Sequence, residues 1–424
     1  MDLLRNIFKG DRVIWIIFLC LCLISIVEVF SAASTLTYKT GDHWAPITQH
    51  SILLMVGVVV VVLMHNIPYR WFQVFPVFLL PVSLVLLAFV SAMGFITGDR
   101  VNGAARWMTF FGVQFQPSEL AKMAVIIAVS FILSKRQDEN GANPNAFKYI
   151  MIITGLTFIL IAPENLSTAA LLFGVVFLMM YIGRVAAKKL LILVGILGVG
   201  IILTGAVVLI TPSDSDVPFL HRMSTWKSRI VNFTEDERVS PGDFDIDKDA
   251  QIAHSRISVA TSNIIGKGPG NSIQRDFLSQ AFSDFIFAII IEELGLSGGI
   301  FVVCLYIWLL VRAGRIAKKC NRTFPAFLVM GIALMLVSQA ILNMMVAVGL
   351  FPVTGQPLPL ISKGGTSTLI NCAYIGMILS VSRYTALLDE QAVKTAEANG
   401  ENFLPEPANP TSDLLNNDEE FKNA

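Results

Sequence analysis

Uncharged apolar runs of about twenty residues recur along almost the whole chain, and they leave it few ways to fold. A helix needs roughly 20 such residues to cross the ~30 Å hydrocarbon core of a bilayer, and about ten runs reach or approach that length. They lie near 13–33, 51–67, 73–95, 117–134, 147–163, 168–184, 188–211, 285–312, 324–351 and 366–383. A soluble chain of this size carries about 25% charged side chains, whereas here the charged fraction is 15% and the mean hydropathy +0.67. Lipid is therefore the solvent for most of the molecule. The runs are long and continuous rather than alternating, so they predict an all-α integral membrane protein.

The first run follows Arg5, Lys9 and Arg12 and ends in Ser31-Ala32-Ala33, small residues that resemble a signal-peptide cleavage site. Its full spanning length, with further spans behind it, favours an uncleaved first helix. An N-terminus inside the cell puts Lys135, Arg136, Arg184, Lys188, Lys189, Arg312, Arg315, Lys318, Lys319 and Arg322 on the cytoplasmic side. In short loops only Lys39, Arg100, Arg106 and Lys363 fall outside. Basic residues collect on the cytoplasmic face, so both termini are expected there, with one long extracytoplasmic loop, 212–283, between helices 7 and 8. Within that loop 219–233 mixes Leu220, Met223, Trp226 and Ile230 with Arg222, Lys227 and Arg229, the pattern of an amphipathic surface helix. Residues 1–386 then form one membrane domain. The acidic, proline-bearing stretch 387–424 reads as a disordered cytoplasmic tail. No inverted repeat of the transporter kind is visible.

Basic and acidic side chains number 31 each and cancel, which gives no case for nucleic-acid binding. Cys20, Cys22, Cys304, Cys320 and Cys372 show neither a disulfide framework nor a zinc spacing. Gly266-Lys267-Gly268-Pro269-Gly270 fits neither a Walker loop nor a dinucleotide fingerprint. Asp243, Asp245, Asp247 and Asp249 alternate like a calcium loop, but the glycine and closing glutamate positions hold Ala250 and Arg256.

Ionisable groups at membrane depth are costly, so each one asks for a reason. Glu119 and Lys122 stand three apart in Gln116-Pro117-Ser118-Glu119-Leu120-Ala121-Lys122. They form either a helix start with an internal ion pair or an acid beside a cation that meets an anionic ligand. Glu164 lies in the tight outer turn Pro163-Glu164-Asn165, as an exposed or capping acid or as a site residue. Asp284 opens the eighth span in Ser283-Asp284-Phe285, as an N-cap or as a carboxylate placed to act as a general base. Glu292 and Glu293, two to three turns further on, are expected deeper in the membrane and hydrogen-bonded to another helix. Glu28 has no evident partner. The segment from Pro352 to Ser367, rich in proline and paired glycine, predicts non-helical backbone around a cavity or a structural re-entrant turn. Its Lys363 and glycine amides are suited to a phosphate.

Three blocks together resemble the SEDS family (shape, elongation, division and sporulation), the FtsW/RodA/SpoVE group. Asn102-Gly103-Ala104-Ala105-Arg106-Trp107 with Gln116 to Lys122 is similar to the family's NGA-x-RW and QPSELAK motifs. Asp284-Phe285-Ile286-Phe287-Ala288 with Glu292-Glu293-Leu294-Gly295 is similar to its DFIFA and EELG motifs, and Pro352 to Ser367 to its PVTG and IS-x-GG motifs. The division-type FtsW branch is the nearer one, with a RodA-type elongation polymerase as the alternative.

The resemblance implies a peptidoglycan glycosyltransferase that polymerises lipid II outside the inner (cytoplasmic) membrane, at the division septum. Its partners would be a class B penicillin-binding protein and other divisome membrane proteins. It implies Asp284 as general base. Substrate-binding roles fall to Arg106, Glu119, Lys122, Glu164, Ser362, Lys363, Gly364, Gly365 and Thr366. A divalent cation, Mg²⁺ or Mn²⁺, could assist, with no organic cofactor. A lipid II flippase is the alternative of a different class, but the charged groups all map to the outer half, unlike a transporter's midplane site. The sequence departs from the family at Leu278 to Ser283, which lacks the usual Glu and His before the aspartate. Glu164 stands where Asp is usual, and Lys363 where Tyr is.

Overall fold

The structure, a computed structural model, describes residues 9–32, 45–96, 107–110, 113–138, 141–210, 250–278 and 283–398. Each expected span coincides with a helix: α1 Arg12–Ala32, α2 Ala45–Asn66, α3 Phe75–Ile96, α4 Pro117–Lys135, α5 Pro144–Ile161, α6 Leu166–Ile182 and α7 Ala187–Ile210. The series continues with α9 Ile286–Lys318, α10 Thr323–Ala347 and α11 Thr366–Ala398. A further helix, α8 Ala250–Thr261, lies inside the expected long loop. Two short hairpins connect elements: β1 Met108–Phe110 with β2 Val113–Phe115, and β3 Gln137–Asp138 with β4 Gly141–Ala142. The expected amphipathic helix at 219–233 lies outside the described residues.

Apolar side chains cover both the inside and the outside of the bundle. In α1, Ile14, Ile17, Phe18 and Leu21 are buried while Ile16, Leu19 and Leu23 are exposed. Such a surface has no aqueous solution; hydrocarbon covers it, making the chain a multi-pass membrane protein. Burial also sorts the helices. Inside the protein lies 78% of α4's span but only 17% of α3's, so α4 is a core helix and α3 faces lipid. α4 packs against α3, α5, α6 and α10, while α11 packs chiefly on α2.

Contacts between distant elements fix the two faces of the bundle. At one face Arg312 Nε donates to Asp11 Oδ2 at 2.7 Å, and Ser380 Oγ donates to the carbonyl of Ile67. The start of α1 and the far parts of α9 and α11 are therefore on one side, the side holding the basic loops. At the opposite face Ser255 of α8 donates to the carbonyl of Ala347, at the end of α10.

α9 is two helices. At 1.5 Å per residue its 33 residues would reach about 50 Å, well beyond a ~30 Å core. Gly295 interrupts it with φ 74° and ψ −178°, a conformation essentially confined to glycine. A side chain on Gly299 would press on Ile291 and Phe287. Residues 287 and 299 would stand about 18 Å apart along a straight helix, so the arm 286–294 folds back along the arm 296–318. Only the second arm crosses the membrane.

This reverses an expectation. Glu292 and Glu293, expected deeper than Asp284, sit at the outer edge beside Ser31 near the end of α1 and Ser258 of α8. The arm then descends from them to Asp284, which meets α10 a turn below its outer end.

The last helix continues to Ala398, past residue 386. Ala386, Leu387, Leu388, Glu390, Gln391 and Ala392 are good helix formers and carry α11 beyond the bilayer. Residues 399–424 lie outside the described residues.

Candidate active site

Asp284 lies in the turn that starts the re-entrant arm. The residue at the N-cap position is Phe285, so Asp284 stands one residue before the cap rather than at it. Ser283 Oγ donates to Asp284 Oδ1 at 3.0 Å. The backbone of the turn is held from two directions. Asn343 Nδ2, on α10, donates to the carbonyl of Asp284 at 2.9 Å, and Ser362 Oγ donates to that of Ser283 at 2.6 Å.

Ser362 belongs to the segment 348–365, which joins α10 to α11 as irregular backbone inside the bundle, as expected from its prolines and glycines. Backbone at such depth is stable only if protein satisfies its polar groups. Side chains do so carbonyl by carbonyl. Asn343 Nδ2 donates to Gln356 O (2.7 Å), Gln339 Nε2 to Pro357 O (3.0 Å), Ser25 Oγ to Ile361 O (2.6 Å) and Tyr306 Oη to Pro359 O. Gln356 Nε2 donates to Thr168 Oγ1 of α6 at 2.6 Å, and Ser362 Oγ accepts from Leu358 N at 2.8 Å.

The expected binding residues take different positions around this frame. Glu119 and Lys122 pair with each other at 2.8 Å with side chains only 1% and 0% exposed. Lys122 Nζ also donates to Gln339 Oε1 at 2.8 Å. The internal ion-pair alternative therefore describes this conformation, with the pair behind the loop rather than open to a ligand. Lys363 is half-buried, and burial pushes its ammonium below the ordinary lysine range. Ser362 is a staple of the loop. Thr366 ties α11 to the β1–β2 hairpin through Gln114 O at 3.1 Å. Gly365 takes φ +53°, and a Cβ on Gly364 would strike the Ser367 hydroxyl.

Glu164 lines a small open cleft between α3, α4 and α5, with Gln116, Ser118 and Asn165 on its polar side and Leu87 and Val90 on its apolar side. Asn165, not Glu164, caps α6 by accepting from Thr168 N at 3.1 Å. Arg106 lies outside the described residues.

Glu292 and Glu293 are buried acceptors, as expected, but they bind chiefly the outer loop rather than another helix. Glu292 accepts from Lys267 Nζ at 2.6 Å, Ser272 Oγ at 2.5 Å and Ile273 N at 3.1 Å. Glu293 accepts from Gly270 N at 2.9 Å and Ser272 N at 3.2 Å. The glycine-rich segment discounted as a nucleotide loop serves this docking. Gly266 lies flat against Gly295, where neither tolerates a Cβ.

Sequence reasoning missed Gln339 and Asn343, whose amides support both the loop and Asp284. The signal was present: two amides four residues apart share one face of a largely apolar helix. Uncharged amides stand out less sharply at that depth than ionisable groups do.

Residues 11–387 match the profile of a cell cycle protein family, FtsW/RodA/SpoVE. A probable peptidoglycan glycosyltransferase FtsW of Trichlorobacter lovleyi is 32% identical, over 90% of this chain and 96% of its own. One of Halomonas elongata is 30% identical, over 90% and 93%. Among solved structures, a chain from work on how a peptidoglycan synthase complex coordinates polymerization and crosslinking superposes with a TM-score of 0.69 at 24% identity, covering 89% of this chain and 99% of that one. The rod shape determining protein RodA of Thermus thermophilus superposes at 0.61 and 23%, covering 89% and 98%.

Proposed function

The chain belongs to the FtsW/RodA/SpoVE family of cell cycle proteins, and we propose on that premise that it is a peptidoglycan glycosyltransferase of septal cell-wall synthesis. Its substrate is lipid II on the outer face of the cytoplasmic membrane. The observation that carries the reading is Asp284, an acid one residue before the helix cap, in a turn whose backbone is held by Asn343 and Ser362 beside a loop bearing a cation, Lys363. The relatives named FtsW favour division over elongation.

In this mechanism Asp284 takes the proton from the GlcNAc 4-hydroxyl of the acceptor as that oxygen attacks the anomeric carbon of the donor MurNAc. The bond from that carbon to the pyrophosphate oxygen breaks, and undecaprenyl pyrophosphate leaves with the electron pair. A direct displacement inverts the anomeric centre. The leaving group is already activated, so one carboxylate suffices where glycoside hydrolysis needs two. Lys363 and Arg106 oppose the charge that develops on the pyrophosphate.

Among the described residues no three His, Cys, Asp or Glu side chains converge on one point. A Mg²⁺ or Mn²⁺ ion here would be held by one or two carboxylates, Asp284 or Glu164, and by phosphate oxygens of the substrate. Its contribution when bound would be neutralisation of pyrophosphate charge. A class B penicillin-binding protein is the partner this reading calls for, with further division proteins around it.

The test is glycan-chain formation from purified lipid II by the protein with that partner, wild type against Asp284→Asn. Polymer from wild type and almost none from a folded variant is the expected result. Equal polymer from both removes Asp284 from the chemistry. No polymer from either, with labelled lipid II crossing vesicles that contain the protein, would make it a flippase.

A further inference from the structure

Asn343 stands at one junction of the buried frame. Its side chain is 1% exposed, and the two hydrogens of its single amide group are both committed, one to the carbonyl of Asp284 and one to that of Gln356. Those two carbonyls belong to different pieces of irregular chain, the turn that opens the re-entrant arm and the loop that carries Lys363. Both bonds require the amide nitrogen on the same side, so the orientation of the group is fixed by its partners. Ser362 makes a second link between the same two pieces, and Gln339, one turn earlier on α10, holds the loop at Pro357.

We propose that Asn343 is a positioning residue for the transfer reaction. It sets the distance between the carboxylate that removes the proton and the cationic loop that receives the pyrophosphate. This rests on the assignment of Asp284 as base made above. The chemistry explains why one residue should do both. Proton removal at the acceptor oxygen and charge development on the leaving oxygen occur at opposite sides of one anomeric carbon, so base and cation must keep a fixed separation. Two independent anchors would let the two pieces drift separately, whereas one amide rooted in a core helix moves them together. A displacement of about 1 Å between reacting groups costs on the order of 100-fold in rate. Asn343 touches neither substrate nor proton, and its effect passes through the backbone of Asp284 and Gln356.

The experiment uses the full chain with its penicillin-binding partner and purified lipid II, comparing Asn343→Ala, Asn343→Asp, Asp284→Asn and the double variant Asp284→Asn/Asn343→Ala. For Asn343→Ala the expected result is a fall in kcat of about 100-fold, with KM for lipid II within about twofold of wild type. The acid limb of its pH–kcat profile should also move, because the base has changed surroundings. The double variant should be no slower than Asp284→Asn alone. Asn343→Asp keeps the shape and loses both amide donors, so its kcat and KM carry the test if Asn343→Ala is lost from the membrane, while its own carboxyl titrates on the acid limb and leaves the pH readout to Asn343→Ala.

An unchanged kcat, a loss confined to KM, or a further multiplicative loss in the double variant would overturn the positioning role. Wild-type rates from Asp284→Asn would instead overturn the assignment of the base, and the role of Asn343 with it. The two failures are thereby separated.

Discussion

The ammonium group of Lys363 is half-buried and has lost part of its hydration. Burial disfavours its charged form, so its proton leaves at lower pH in the folded protein than in the unfolded chain, where lysine titrates at about 10.4. Linkage sets the sign for stability. Charging Lys363 penalises the folded state below the lowered folded value, and the penalty disappears as pH rises through it toward the unfolded one. Binding runs the other way, since an anionic pyrophosphate needs the cation. The affinity for lipid II should therefore fall on the alkaline side, below the ordinary lysine range, and Lys363→Gln should weaken binding and flatten that limb. Titrating KM against pH for both proteins checks this, and an identical alkaline limb in the variant would remove Lys363 from binding. Lys122 teaches the opposite lesson. It was legible as a cation at membrane depth, yet its partners Glu119 and Gln339 show it spent on the interior. A buried pair of this kind fixes a geometry more surely than it adds stability.

At the scale of an element, a single glycine divides α9 and decides where Asp284 sits. Gly295 holds φ 74° and ψ −178° and lies flat against the backbone of Ile264, Ile265 and Gly266. Gly295→Ala meets both obstacles, a backbone strain of about 1–3 kcal/mol and a collision with main chain that cannot rotate away. The expected outcome is a lower thermal midpoint in detergent, together with at least tenfold less glycan polymer, although Gly295 lies at the far end of the arm from Asp284. Gly155→Ala is the control, since a Cβ there meets nothing within 4 Å and its helix faces lipid. Wild-type polymerisation by Gly295→Ala would mean that the arm holds its place without the fold-back. The glutamate pair next to this glycine works at the same scale. Glu292 and Glu293 bind backbone N–H groups from 270 to 273, so the outer loop and the arm bearing Asp284 behave as one body.

Across the whole molecule, charge and contacts agree on which way the bundle faces. The loops rich in lysine and arginine lie on the side where Asp11 meets Arg312, and α8 lies on the other side over the end of α10. A cysteine at Pro269 should react with a membrane-impermeant maleimide in intact spheroplasts, and one at Asn145 only after lysis, in a background lacking the five native cysteines. Both positions are exposed, so labelling reports side rather than burial. The reverse pattern would invert the orientation and place the candidate site in the cytoplasm, away from an extracytoplasmic substrate.

Hydropathy determined the spans, and basic loop residues determined the orientation, because both depend on quantities that a local stretch of chain carries by itself. The motif around Asp284 and the re-entrant loop from Pro352 to Ser367 were legible for the same reason, as polar or irregular residues that lipid would reject. Tertiary structure alone decided the rest. The apolar string from Ile286 to Lys318 reads the same whether it runs straight or reverses at Gly295, since hydropathy counts residues and does not register direction. Which polar groups serve the reaction and which serve the frame is likewise a matter of partners distant in sequence. Lys122 turns inward to Gln339, and Asn343 reaches Asp284 and Gln356, because helix packing brings together groups that no spacing along the chain relates.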